Sequence, residues 1–288
     1  MASLTDRTTT DTTTTDTSTP ANAPVMEFRL SAWYGDRQVL EEAAGELRAG
    51  ESLSLVGLSG SGKSTLALAL LGLIRYRGGR ISGSIRLCGK ELREASEREL
   101  REIRGRLVGY VPQNAAAALN NRLRVKTLLE ETWRAHESRR PPEGLWQELL
   151  RSVQLPANAD FLEQRAGELS TGQGQRLLIA LAVMHNPQLL IADEPTSALD
   201  AITQMAILDL FRDLNRRRNI ALLFISHDLL SVASISARVS ILHKGRIVES
   251  GTAAEIFLAP QDPFTQQLVA AMPAKPIFDE MTSGAEPR

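Results

Sequence analysis

The stretch Gly57-Leu58-Ser59-Gly60-Ser61-Gly62-Lys63-Ser64 decides the fold: a glycine, four residues, then Gly-Lys-Ser. It follows the apolar run Ser52–Val56 (SLSLV), which reads as a strand. It opens residues 65–74 (TLALALLGLI), which read as a helix. Strand, glycine-rich loop and helix together turn this spacing into a phosphate cradle. The glycines let successive backbone N–H groups converge on phosphate oxygens, and the helix start adds positive potential. In such a cradle Lys63 reaches the β- and γ-phosphates and the Ser64 hydroxyl ligates Mg²⁺. The loop and its first helical residue, Thr65, are therefore the candidate nucleotide-binding set. A plain Gly/Ser turn is the competing reading, and the placement of Gly-Lys-Ser argues against it.

Working outward, 81–87 (ISGSIRL) alternates as a strand, and Phe28, Leu30 and Ala32 alternate with Arg29 and Ser31. Val108–Val111, 188–192 and 220–225 are short apolar strands, the last two without alternation. Helices are expected over 91–104, 173–184, 202–217 and 229–236. Residues 239–242 and 246–249 form an antiparallel pair around Lys244-Gly245. Apolar strands separated by helices indicate a parallel sheet covered on both faces. Residues 121–168 are mostly helical in pattern, broken at Pro141-Pro142 and near Pro156. The helical stretch from about 116 to 186 interrupts the alternation as an inserted subdomain.

The 288 residues carry 33 Lys+Arg against 34 Asp+Glu, a net charge of −1. Bulk electrostatic binding to nucleic acid is therefore not expected. A single cysteine, Cys88, rules out an internal disulfide, a zinc finger and a four-cysteine iron–sulfur cluster. A reduced compartment fits that count. The apolar runs fall well short of the roughly 18 residues a membrane helix needs, so a soluble chain is expected. Ten of the first twenty residues are Thr, with Asp6, Asp11 and Asp16 among them. Residues 1–25 are expected to be a disordered tail, because so few bulky apolar groups cannot offset ordering entropy. The acidic residues argue against a targeting peptide.

A second constellation sits at 189–194 (LLIADE), an apolar strand ending in two carboxylates. Desolvating them is costly unless something pairs with them, and Mg²⁺ would do so. Asp193 is then the metal contact, and Glu194 stands one residue further out, placed to polarise a water attacking the γ-phosphate. His227, in Ile225-Ser226-His227-Asp228, ends another buried strand. A lone histidine there is more often a packed or capping residue. Its place at the carboxyl edge of the sheet, where ligands collect, makes it a candidate γ-phosphate sensor.

The octapeptide Leu169-Ser170-Thr171-Gly172-Gln173-Gly174-Gln175-Arg176 resembles the LSGGQ signature of ATP-binding cassette (ABC) ATPases, with Thr171 where glycine is usual. Ser170 and Gly172 match signature residues that contact the γ-phosphate of ATP held by an opposite subunit. Ser170 also reads as a helix cap, and the two readings are compatible. Tyr34 resembles the A-loop aromatic that stacks on adenine. Gln113 resembles the Q-loop glutamine near Mg²⁺ and the attacking water. Residues 197–200, ending in Asp200, resemble the D-loop. The resemblance covers roughly 26–273.

Residues 105–120, 189–200 and 245–273 are similar to the ATPase subunits of oligopeptide, dipeptide and nickel importers. Asn114, Asn121, Gln261-Asp262 and Phe264 depart from that subfamily's usual residues.

The resemblance implies an α/β P-loop NTPase core with a mostly parallel sheet, an antiparallel β subdomain and an inserted helical signature subdomain. The ATPase domain would run over 26–253, with an importer-type extension at 254–288. The implied function is ATP binding and hydrolysis, with Mg²⁺, energising an importer of peptides, nickel or metal–opine chelates. Implied partners are two transmembrane permease subunits, a sister ABC ATPase in a hetero-pair, and indirectly an external substrate-binding protein. Nucleic acid is not among them. The implied place is the cytoplasmic face of the inner membrane. Alternatives are a soluble ABC ATPase of DNA repair or translation, and an exporter ATPase; a single cassette without long or zinc-bearing insertions favours the importer.

Overall fold

The computed structural model describes residues 23–272. The expectations for a tail at 1–25 and for the end of the 254–288 extension fall largely outside them. The elements run β1 (Met26–Tyr34), β2 (Arg37–Leu47), β3 (Ser52–Val56), α1 (Lys63–Leu70), β4 (Gly79–Leu87), β5 (Lys90–Glu91), α2 (Glu97–Ile103) and β6 (Val108–Val111). Helices α3 (Ala115–Ala118), α4 (Val125–Arg134), α5 (Leu145–Ser152), α6 (Ala159–Glu163) and α7 (Thr171–Val183) follow. The chain continues with β7 (Leu189–Asp193), α8 (Ala201–Arg218), β8 (Ala221–Ser226), α9 (Leu229–Ile235), β9 (Arg238–His243), β10 (Arg246–Thr252), α10 (Ala253–Leu258) and α11 (Pro263–Ala270).

Two sheets organise these elements. One is six-stranded in the order β10-β9-β3-β8-β7-β6, parallel except for β10. Its central strands β3, β7 and β8 are buried at every residue. Their side chains divide by parity between two cores. Leu190, Ala192, Leu222 and Phe224 face a core shared with α7, α8 and α9. Leu189, Ile191, Leu223 and Ile225 face the core shared with α1 and the second sheet. This two-sided burial is why the strands read as unbroken apolar runs. Helices α3 to α7 fall between β6 and β7, and their apolar residues join the first core.

The second sheet, order β2-β1-β4-β5, is antiparallel. Strand β1 alternates buried Met26, Phe28 and Leu30 with exposed Glu27 and Arg29. Strand β2 escaped the sequence reading. Glu42 takes a positive φ of 47°, and a register shift opposes it on β1. The bulge spaces the buried residues as Leu40, Ala43 and Leu47, an interval of three and then four that imitates a helix.

Other boundaries also differ from expectation. The helix expected over 65–74 begins at Lys63 and stops at Leu70. Gly72 turns left-handed there (φ 64°), and the Arg104 guanidinium donates to the carbonyls of Leu71 (2.8 Å) and Gly72 (3.2 Å). The helix expected from residue 91 starts at Glu97, set by a capping box in which Ser96 and Glu99 satisfy each other's backbone N–H. Helix α7 begins at Thr171 rather than 173, behind the same device from Ser170 and Gln173.

Gly83 tests the antiparallel sheet. It pairs with Leu30 at φ 100°, and a Cβ there would lie 2.1 Å from the Arg29 carbonyl oxygen. Gly83→Ala is expected to cost roughly 2–4 kcal/mol, combining backbone strain with a steric clash. Thermal or urea unfolding measures it; an unchanged midpoint would refute the close approach.

Candidate nucleotide site

Parallel register places the chemistry. Val56 pairs with Ser226, Val111 with Ala192 and Asp193 with Ile225, so β3, β6, β7 and β8 end on one edge. The residues just beyond those ends are Gly57, Gln113, Glu194 and His227. A cleft of about 440 Å³ opens there, lined by Tyr34, Arg37, Val39, Ser59, Gly60, Gly62, Lys63, Ser64, Thr65, Gln113 and Glu194. Tyr34 ends β1, and its ring has room because residue 79 is glycine: a Cβ there would lie 2.9 Å from the ring.

The phosphate loop is built around its lysine. Lys63 is 5% exposed, and its ammonium donates to the carbonyls of Gly57 (2.8 Å) and Leu58 (3.2 Å). Gly62 caps α1 in left-handed conformation (φ 111°) without a side-chain acceptor, leaving the first-turn N–H groups uncapped by side chains. The Ser61 hydroxyl is buried with no partner among the described residues, and Gly60 has open space around it. An orphaned donor, uncapped amides and a cation in one concavity fit a polyphosphate. The β9–β10 hairpin backs the loop: Gly245 N–H donates to the Ser61 carbonyl (3.0 Å), and its own carbonyl accepts from Glu41 N–H (2.8 Å).

Glu194 gathers three donors. Lys63 Nζ stands 3.5 Å from Oε1, Gln113 Nε2 donates to Oε2 (3.0 Å), and His227 Nδ1 lies 3.1 Å from Oε2. For the neutral imidazole, that contact requires the proton on Nδ1. Glu194 itself has φ 47°, held by its N–H to the Ile225 carbonyl (2.8 Å) and by Ser197 Oγ on its own carbonyl (3.1 Å). Such backbone conformations persist where the surroundings over-determine them.

Asp193 is buried; the Ser64 hydroxyl donates to its Oδ1 (3.2 Å) and Tyr110 to its Oδ2 (3.4 Å). Burial pushes its pKa up, partly opposed by the Ser64 hydrogen bond. Burial, with the Asp193 charge added, drives the Tyr110 phenol far above its ordinary range, so it stays a donor. Ser64 and Asp193 together form a hard-oxygen pair suited to Mg²⁺. The Gln113 amide nitrogen donates to Glu194, and its oxygen is the atom a cation would take. Among the described residues no group of three or more His, Cys, Asp or Glu is arranged to hold a metal.

Among the described residues, Ser170, Thr171, Gly172, Gln173 and Asp200 do not line this cleft. Ser170 and Gln173 cap α7, with Ser170 and Thr171 exposed. Asp200 caps α8, accepting from Ile202 N–H (3.1 Å), Thr203 N–H (3.0 Å) and Thr203 Oγ (2.7 Å). Those Thr203 hydrogen bonds hold its carboxyl below the usual range. Sequence reasoning missed Arg37 and Val39, which belong to the unread strand β2, and Tyr110, an inconspicuous residue within β6. No helix among the described residues is long and apolar enough to cross a membrane.

A family model described as ABC transporter matches residues 40–197. The oligopeptide transport ATP-binding protein OppD of Bacillus subtilis (strain 168) is 39% identical over 83% of this chain and 68% of its own length. The dipeptide transport ATP-binding protein DppD of Escherichia coli (strain K12) is 36% identical over 85% and 77%. The glutathione import ATP-binding protein GsiA of Pectobacterium atrosepticum is 40% identical over 78% of this chain but only 37% of its own length. A solved ATP-binding subunit of an ABC transporter superposes with TM-score 0.68 at 26% identity, covering 85% of this chain and 98% of that one. A dimeric ATP-binding cassette in a post-hydrolysis state, bound to ADP and Pi, gives TM-score 0.68 at 24% identity over 79% and 98%, a likeness of fold. The chain belongs to the ABC transporter family as one of its ATPase cassettes, on the α/β fold of P-loop NTPases.

Lys63→Ala should abolish ATP turnover and severely weaken nucleotide binding, because it removes the buried cation of the cradle. Near-normal turnover would move the phosphate site elsewhere. Glu194→Gln should keep ATP binding and slow hydrolysis by roughly 10²–10⁴-fold. Equal losses of binding and turnover, read by equilibrium binding and phosphate release, would make Glu194 a metal ligand instead.

Proposed function

We propose that this chain is the ATP-hydrolysing subunit of a peptide importer, working at the cytoplasmic face of the inner membrane on two permease subunits. The observation that carries the reading is the grouping of Lys63, Gln113 and His227 about Glu194, which lines the cleft together with Lys63 and Gln113. Tyr34 stands in the same cleft as the aromatic face for adenine. Ser64 and Asp193, with Gln113, would hold Mg²⁺, which supplies Lewis-acid charge to the phosphate oxygens. Lys63 stabilises charge on the departing γ-phosphoryl group. Glu194 accepts a proton from the attacking water, and His227 orients that carboxylate through Nδ1.

The signature residues lie outside the chain's own cleft, which supports completion of each site by a second cassette, Ser170, Thr171 and Gly172 facing the partner's ATP. A sister ATPase is the proposed partner. Closure excludes water, and hydrolysis reopens the pair. The relatives named for oligopeptides, dipeptides and glutathione support peptide cargo over nickel or metal–opine chelates. Co-purification with the permease, followed by ATPase measurement in lipid with and without peptide-loaded binding protein, tests the reading. Peptide stimulation of turnover is expected; an active complex indifferent to peptides would overturn the cargo.

Thr171 gives a further test. With Glu194→Gln silencing the chain's own site, Thr171→Gly in the hetero-pair is expected to change turnover at the partner's site by less than about tenfold, or about 1.4 kcal/mol of barrier. A larger rise would mean that threonine holds that site slow.

A further inference from the structure

We propose that Gln204 is a positioning residue for His227, fastening the start of α8 to the loop that carries the histidine. The inference rests on the ATPase reading and adds a residue to it. Gln204 is part-buried, and its Nε2 donates both to Asp228 Oδ2 (2.8 Å) and to Ser231 Oγ (2.6 Å). Ser231 Oγ in turn donates to the same Asp228 oxygen (2.5 Å). The triangle is complete: one amide nitrogen spends both protons, one hydroxyl donates and accepts, and one carboxylate oxygen accepts twice. Asp228 Oδ1 accepts from Leu230 N–H (3.0 Å), and Asp228 N–H donates to Ser226 Oγ (2.9 Å).

His227 therefore lies between two backbone positions that are each pinned. Its exposed ring gets its orientation from that backbone and, among the described residues, from one polar contact, Nδ1 to Glu194 at 3.1 Å. The side chain is 54% exposed, so packing alone does not hold it. Loosening Asp228 frees the ring to leave Glu194. The residue before Gln204 reaches the other way. Thr203 hydrogen-bonds Asp200, and its methyl group stands where a Cβ on Gly172 would lie 2.8 Å away. Adjacent residues in the first turn of α8 thus touch the signature helix and the histidine loop.

The test is a double-mutant cycle in the full transporter assembly. Gln204→Ala is expected to lower kcat about tenfold with KM for ATP changed by less than about twofold, the split expected of a group acting in the chemical step. In a His227→Ala background the same substitution should cost less than about twofold, because the ring it positions is gone. Equal losses in both backgrounds, or a loss confined to KM, would overturn the proposal.

Gln204→Glu gives a second readout should Gln204→Ala not fold. The charged groups facing position 204 are Asp228, with Asp209 and Arg212 further along the same groove. A glutamate there must share a proton with Asp228, so its pKa rises. The variant should approach wild-type turnover at acidic pH and lose it as pH rises, relative to wild type; a constant ratio across pH would refute the contact. A wild-type assembly inert toward MgATP would sink the ATPase reading itself. An active wild type with an unaffected Gln204→Ala would sink this inference alone.

Discussion

Everything in the candidate site depends on the register of the parallel sheet. A pairing shift of one residue in β7 against β8 would turn Asp193 and the rest of the strand to the opposite face. The register is held because both faces are buried: moving Leu189 and Ile191 to the other core would displace Leu190 and Ala192 from theirs. Hydrophobic packing on either side of the sheet is thus what brings Lys63 and Glu194 within 3.5 Å, although they come from sequence positions far apart. The chemistry is polar, and the force that assembles it is apolar.

Burial then sets the electrostatics. Lys63 is nearly inaccessible and Glu194 is 14% exposed, so neither charge is well served by water. Each finds protein partners: loop carbonyls for the ammonium, and Gln113 and His227 for the carboxylate. A dry, opposite-sign pair beside uncapped helix amides favours a ligand that carries both high negative charge and its own cation.

Much of this was legible in the sequence where a motif is local. The loop from Gly57 to Ser64, the strand ending in Asp193-Glu194 and the signature from Leu169 each announce themselves within a dozen residues. What hid was non-local or irregular. Strand β2 disguised its period with a bulge at Glu42, and it took Arg37 and Val39 out of sight with it. The end of α1 is marked by Gly72, hidden within an apolar run, and the Leu71 and Gly72 carbonyls there are taken by Arg104, more than thirty positions away. Gln204 sat in an unremarkable helical stretch, and only the fold laid it against Asp228. Composition and periodicity cannot report a hydrogen bond whose partners are set by tertiary packing.

Gly245 is a spacer between two elements of the cleft wall. Its N–H donates to Ser61 of the phosphate loop and its carbonyl accepts from Glu41 on β2, so a single residue ties that loop to the strand that brings Arg37 and Val39 to the cleft. A Cβ there would lie 2.3 Å from the Val39 carbonyl oxygen. The hairpin works as a gauge block: it fixes the span between the phosphate loop and β2 by backbone contact rather than by side-chain choice. The spacing between the phosphate loop and β2 is therefore set by main-chain hydrogen bonds, which side-chain substitution around the cleft leaves in place.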